Sequence, residues 1–281
     1  MTPHQRQVVE YFSQTHDDYC RLWGADRHLG LHCGFADAKH RRHDDAVLNM
    51  NRVLATAAGV GPADRVLDAG CGIGGSAIWL AATVGCRVTG VNLCAPQVER
   101  ANQLARRRDV AGLVDFRIAD FAATRLAAAS FDVVWALESF CYAEDKLAGL
   151  REFHRLLRKG GRLVIADCFL TRERLGPRDR RLVERWREGW AIPNVPGAGR
   201  FRDWLEQAGF RQVRLRDVTR HVAPSSRRIY RTTLLFAPLG LLLHWLGVRT
   251  AVQTRGIASG YYQYHACRRG LGFYGIFSAV K

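Results

Sequence analysis

From about residue 65 to 167 the chain alternates short apolar runs with segments whose apolar positions recur every three or four residues. The runs fall at 65–68, 87–91, 114–118, 131–137 and 162–167, and they are rich in Val, Leu, Ile and Phe, as strands buried on both faces are. The periodic segments fall at 75–84, 96–107 and 146–157, each long enough for a helix of about three turns. Strand and helix in repeated alternation predict an α/β fold, a mostly parallel sheet with helices on both faces. The first sixty residues read as helical and carry Tyr11, Phe12, Tyr19, Trp23, His28, His32 and Phe35; a helix over 44–58 has Val47, Leu48, Val53, Leu54 and Ala57 at helical spacing. After Asp167 the pattern loosens into a charged stretch at 171–187 and a Pro/Gly turn at 192–197. A helix at 201–208, a strand at 212–217, two helices between 225 and 267 and a last strand at 272–280 follow. No repeat or low-complexity linker interrupts this order. It predicts one domain in three parts: a helical lid over 1–60, a sheet core over 61–170, and cap helices with the last strands over 171–281.

Composition adds two constraints. A chain of 281 residues can bury one sizeable core with a surplus for a cap. Its 42 Lys+Arg against 26 Asp+Glu give a net charge of +16, which attracts an anionic partner or reflects arginines on solvated helix faces. The eight cysteines include no C-x-x-C pair, so neither a disulfide framework nor a zinc site is expected, and no metal is assigned. The N-terminus lacks the apolar stretch of a signal peptide, which favours a cytoplasmic protein. The apolar stretch 234–248 is too short for a span and is broken by Pro238, Gly240 and His244. It is expected to be a buried or interfacial helix, with peripheral contact to an acidic membrane as one use of the charge.

The most specific pattern is Val66-Leu67-Asp68-Ala69-Gly70-Cys71-Gly72-Ile73-Gly74-Gly75, a strand, an acid and a glycine-crowded turn that opens a helix. Glycine there lets a ligand lie against the main chain, and the helix start offers free N–H groups. Further on stand Asn92 and Gln97 after the second strand, Asp120-Phe121 after the third, and Glu138-Ser139-Phe140-Cys141-Tyr142-Ala143 after the fourth. The stretch from Trp23 to Phe169 resembles class I S-adenosylmethionine (SAM) dependent small-molecule methyltransferases of the γ-tocopherol and sterol C-24 type. The resemblance implies a Rossmann-like seven-stranded, mostly parallel sheet, with its last strand antiparallel at the sheet edge and a helical cap inserted before that strand. It implies SAM as cofactor, held by Asp68, Gly70, Cys71, Gly72, Gly74, Asn92, Gln97, Asp120, Phe121 and Leu137. Asn92 departs from the acid that commonly binds the ribose at that position. The E-x-x-C-Y-A segment resembles that of sterol methyltransferases and lacks the D/N-P-P-Y/F pattern of DNA amino-methylating enzymes. Glu138, His32 and Tyr142 are the catalytic candidates. Tyr19, Trp23, Phe35 and Phe140 are the substrate-binding ones, the first three with His32 in an N-terminal stretch that resembles the aromatic lid closing over SAM.

The expected function is methyl transfer from SAM to a lipophilic small molecule, isoprenoid-like or a natural product, with a carbon nucleophile favoured and an oxygen or nitrogen nucleophile as the alternative. The 234–248 segment is expected to wall the pocket, and the arginines at 172–187 and 227–231 to ring it, which suits an acceptor with an anionic end such as a prenyl diphosphate. An RNA methyltransferase rests on charge alone, with no appended RNA-binding module, so nucleic acid is not the expected partner. Intact Asp68, Asp120 and Glu138 argue against an inert SAM-binding subunit. The loop spacing argues against a nicotinamide-dependent oxidoreductase. Self-association into a homo-oligomer remains open.

Overall fold

In a computed structural model, which describes residues 1–281, the alternating pattern closes into one seven-stranded sheet. Its strands are β1 (Arg65–Ala69), β2 (Arg87–Asn92), β3 (Val114–Ile118), β4 (Phe131–Leu137), β5 (Leu157–Leu170), β6 (Arg211–Asp217) and β7 (Gly272–Val280), in the order β3-β2-β1-β4-β5-β7-β6. All run parallel except β7, which lies antiparallel between β5 and β6. The antiparallel strand is therefore not at the edge, as expected from sequence; the short, charge-rich β6 takes that place.

Neighbouring residues on the central strands alternate between two cores, as a period of two demands. Val66, Val133 and Val164 pack with Met50, Leu54 and Leu80 on one face. Leu67, Val134 and Ile165 pack with Leu150, Phe153 and Leu205 on the other. The first face is covered by α3 (His43–Ala58), α4 (Gly75–Val84) and α5 (Ala95–Arg107), the second by α6 (Lys146–Leu156) and α8 (Ala198–Gln207).

Three pieces lie over the C-terminal ends of the strands. The helix α1 (Pro3–Asp18) begins in a capping box, with Thr2 Oγ1 accepting from Gln5 N and Gln5 Oε1 accepting from Thr2 N. A π-helical turn, Tyr19–Trp23, and the short α2 (Ala25–His28) follow. The Trp23 carbonyl accepts from both His28 and His43, fixing that turn to α3. The third piece is a helix hairpin, α9 (Thr219–Trp245) and α10 (Ala251–Arg268). The charged stretch after β5 is partly a helix, α7 (Pro177–Gly189), whose Val183 and Trp186 join Leu170, Ala266 and Leu271 in a small third core.

Candidate active site

The sheet order reverses between β1 and β4, where open α/β sheets leave a crevice for ligands. Here the crevice is a cavity of about 430 Å³, roofed by α1 and walled by the inner side of α9 and α10. Register fixes what meets in it. Asp68 on β1 lies opposite Gly90 and Trp135, so its side chain sits at the switch point. Leu137 pairs with Ala166, Asp167 with Gly275 and Cys168 with Tyr274, which brings Glu138, Asp167 and Tyr274 to adjoining strand ends.

The glycine loop is built for close approach. Gly70 has φ +83°, and a Cβ there would stand 2.5 Å from the Cβ of Ser139. Gly75, at the first turn of α4, leaves no room for a Cβ against the Leu29 carbonyl. Asp68 is buried beside this loop. Burial pushes its carboxyl up to about 7, and its Oδ2 has no hydrogen-bond partner. A buried carboxylate lacking a cation, next to a bare backbone cradle, fits the ammonium and main-chain groups of an amino-acid ligand such as the methionine part of SAM. Asn92 Nδ2 donates to Gln97 Oε1 at 2.7 Å, so the two residues where a ribose would lie are already oriented together. Asp120 Oδ1 accepts from Ala122 N at 2.8 Å, and its Oδ2 accepts from Gln5 Nε2 of α1 at 2.7 Å. Cys71, Gly72, Phe121 and Leu137 also line the cavity. Gly74 does not: it caps α4, packed toward Ala101 and Phe116.

At the other end Glu138 holds a left-handed backbone, φ +48°, uncommon for a residue with a side chain. Its Oε1 accepts from Cys33 N at 2.7 Å and from the Tyr274 hydroxyl at 2.8 Å. Burial pushes the Glu138 carboxyl up to about 7, against those donors, with the charge of Asp167 adding to the rise. Burial likewise raises Asp167 to about 6, although Cys141 N and Cys168 N both donate to it. Lys146, almost fully buried, donates to the Cys141 and Ala143 carbonyls and so braces the loop after β4.

Of the expected aromatic residues, Tyr19, Trp23 and the catalytic candidate Tyr142 line the cavity, and so do Tyr11, Phe12, Trp186 and Trp190. Phe35 and Phe140 do not. Phe35 stacks on His221 at 4.0 Å between ring centres, and Phe140 is packed among Phe121, Phe153 and Phe201. His32 borders the cavity with its Nδ1 bonded to the Cys33 carbonyl, while burial lowers it to about 4 and keeps it neutral. Its other nitrogen has no partner and lies over Gly30, where a Cβ would come within 2.9 Å of it.

Two expectations about the substrate end are corrected. The lining contains Asp18, Asp68, Asp120, Glu138, Glu144, Asp145 and Asp167, and no Arg or Lys. The arginines at 172–185 lie on the outside, so no ring of arginines surrounds the pocket. The 234–248 segment does not wall it either; its leucines face outward, and Ile229, Thr232, Thr233 and Ile257 take that role. Sequence reading also missed Gln5, Asp167 and Tyr274. Asp167 carried a readable sign, an apolar run closing on an acid just as the run at 65–68 closes on Asp68. Tyr274 carried none.

Known proteins identify the family. A family model described as a methyltransferase domain matches residues 67–165. The chain is 35% identical over 206 residues to 27-O-demethylrifamycin SV methyltransferase of Amycolatopsis mediterranei (strain S699), covering 73% of this chain and 74% of that one. It is 26% identical over 252 residues to the chloroplastic tocopherol O-methyltransferase of Arabidopsis thaliana, covering 85% and 72%. Its fold matches the structure of geranyl diphosphate methyltransferase in complex with GPP and sinefungin with a TM-score of 0.78 at 23% identity, over 99% of each chain. The chain belongs to the methyltransferase-domain family and is an SAM-dependent methyltransferase of small molecules.

Proposed function

We propose that the acceptor is a lipophilic, uncharged molecule methylated on carbon, at an alkene, with Glu138 as the base. The observation that carries this reading is the make-up of the acceptor end. Two buried carboxyls, Glu138 and Asp167, stand among Tyr11, Tyr19, Trp23 and Tyr142, with no Arg or Lys in the lining and with His32 held neutral by burial. Such a wall favours a substrate that becomes cationic during the reaction and disfavours one that arrives anionic. SAM supplies an electrophilic methyl group. As the S–CH₃ bond breaks, the alkene electron pair forms the new C–C bond and leaves a carbocation on the acceptor. The carboxylate of Glu138 then takes a proton from the neighbouring carbon, whose C–H electrons restore the double bond. A group held at about 7 is half ionised near neutrality, suited to accepting that proton. Asp68, the glycine loop, Asn92, Gln97, Asp120 and Phe121 hold SAM in this reading. Orientation supplies the larger share of the rate, up to ~7–11 kcal/mol in favourable cases.

An oxygen acceptor is the second reading, favoured by the names of the two relatives, a tocopherol O-methyltransferase and a 27-O-demethylrifamycin SV methyltransferase. There Glu138 would take the hydroxyl proton. His32 is badly placed for that task, since its free nitrogen faces Gly30. The test is a mass-spectrometric screen of neutral isoprenoid alkenes and phenols for a gain of ~14 Da, the increment of one methyl group, with deuterium at the alkene carbons. Carbon methylation loses one deuteron and is abolished in Glu138→Gln while SAM affinity is kept. A product methylated on oxygen, with all its deuterium, overturns it.

A further inference from the structure

The outer end of the α9–α10 hairpin is apolar and bare. Leu234, Leu235, Leu239, Leu241, Leu242, Trp245, Leu246 and Val248 are exposed, Leu235 by 70% and Trp245 by 81%. Eight large apolar side chains in fifteen residues form a surface that a protein free in water does not normally show. Helical spacing places Arg227, Arg231, Leu235, Leu239 and Leu242 in one row along α9, so the apolar row is headed by exposed arginines. From Val218 to the last residue there is no Asp or Glu, while nine Arg and Lys occur. No helix of the chain is long and apolar enough to cross a membrane.

We infer that this hairpin tip docks on the surface of an anionic lipid bilayer, leucines and Trp245 entering the headgroup boundary and Arg227 and Arg231 meeting lipid phosphates. The charge pattern chooses the occupant. A second copy joined about a twofold axis would bring two arginine rows together with no acid in either hairpin to pair them. A bilayer offers an apolar interior below a negative surface, matching both parts of the tip. The inner side of the same hairpin, at Ile229, Thr233 and Ile257, lines the cavity, so the docked face and the acceptor pocket share two helices. Docking does not depend on which atom is methylated, so its failure leaves the acceptor screen untouched.

The experiment is flotation of the full chain with vesicles of phosphatidylcholine alone and of equimolar phosphatidylcholine and phosphatidylglycerol. The wild type is expected to float with the mixed vesicles, to remain below with the neutral ones, and to be released by high salt. Leu242→Glu with Trp245→Glu should abolish flotation. Arg227→Gln with Arg231→Gln should reduce it by about tenfold or more, since each surface arginine adds measurable attraction to anionic lipid. S-adenosylhomocysteine affinity equal to wild type marks each variant as folded, and if the apolar variant misfolds the arginine pair decides. No flotation of the wild type with mixed vesicles, or flotation indifferent to the arginine pair, overturns the inference. So does a wild-type dimer that the tip substitutions split into monomers.

Discussion

Two carboxylates divide the cofactor end between them, and their states differ for a physical reason. Asp68 is buried with one oxygen unpartnered, whereas both oxygens of Asp120 are already engaged, one of them by Gln5. Asp68→Asn removes the unpartnered carboxylate beside the glycine loop and should weaken SAM binding by about ten- to a hundredfold, the worth of one charge-assisted hydrogen bond. Asp120→Ala should weaken it by about tenfold, while Gln5→Ala, which frees Asp120, should leave it unchanged or tighter. Titration calorimetry with SAM and S-adenosylhomocysteine measures all three; tight binding by Asp68→Asn would remove Asp68 from the site. Glu138 gives a pH signature of its own. Held at about 7 when folded against an ordinary 4.5, it binds more protons in the folded state across that interval. Its contribution to stability therefore falls as pH rises from 4.5 to 7. Neutral His32 and His43, both lowered to about 4, tilt the other way, because the unfolded chain binds more protons between 4 and 6.5. The wild-type profile sums these opposed slopes, so the difference from Glu138→Gln is the quantity to measure. By urea unfolding, the variant should gain on wild type between pH 4.5 and 7 by on the order of 3 kcal/mol. A difference independent of pH would place the Glu138 carboxyl in its ordinary range.

At the scale of elements, the roof helix α1 is tied at both ends. Its start reaches Asp120 through Gln5 and the Tyr142 carbonyl through His4. Its end pairs Asp18 with Arg249 through two bonds of 3.0 and 2.6 Å, and Gln253 donates to the Gln14 carbonyl. The Asp18–Arg249 side chains are 14–21% exposed, so water screens them less than a surface pair. A double-mutant cycle on Asp18→Asn and Arg249→Gln should give a coupling of about 1–2 kcal/mol, above the usual surface value. A coupling near zero would mean that α1 closes on its aromatic contacts alone. How far sequence predicted these elements follows from what sets each one. The bounds of α4, β3, β4 and β7 are as expected, because each is a run with its own period cut off by turn residues or glycine. The helix α7 does not stand out in the sequence because eight charged residues hide the spacing of Leu182, Val183 and Trp186. The place of β7 beside β5, and the contacts of Gln5 and Tyr274, are made by segments more than a hundred residues apart, which no local period reports. Of the two expectations for 234–248, buried or interfacial, its exposure removes the first; apolar composition says that a segment avoids water, not which surface will cover it.

For the whole molecule, charge and apolar surface are distributed to different ends. None of the 26 acidic residues lies after Asp217, and seven of them line the cavity. The acidic groups thus gather around the cavity, while the last 64 residues carry only positive side-chain charge and the bare leucines. The two ends meet in α10, which bonds the roof helix through Gln253 and runs from the cavity to the hairpin turn. This geometry separates what cofactor binding should stabilise from what it should not. S-adenosylhomocysteine would contact the 70–75 loop and the residues under α1, so amide exchange should slow there. A ligand at a hundredfold excess over its dissociation constant adds about 2.7 kcal/mol against global opening, and local opening of the roof is opposed by the same linkage. The tip at 234–248 has few buried contacts and touches no part of the cavity, so its exchange, governed by local opening, should remain as fast as in the free protein. Hydrogen exchange read by mass spectrometry, with and without S-adenosylhomocysteine, checks both halves at once. Protection of the 70–75 loop and α1 alone means a roof closing on the cofactor beneath a tip left independent. Equal protection of the tip would mean that the hairpin moves as one body with the roof, and that cofactor binding and the exposed surface are coupled through Arg249 and Gln253.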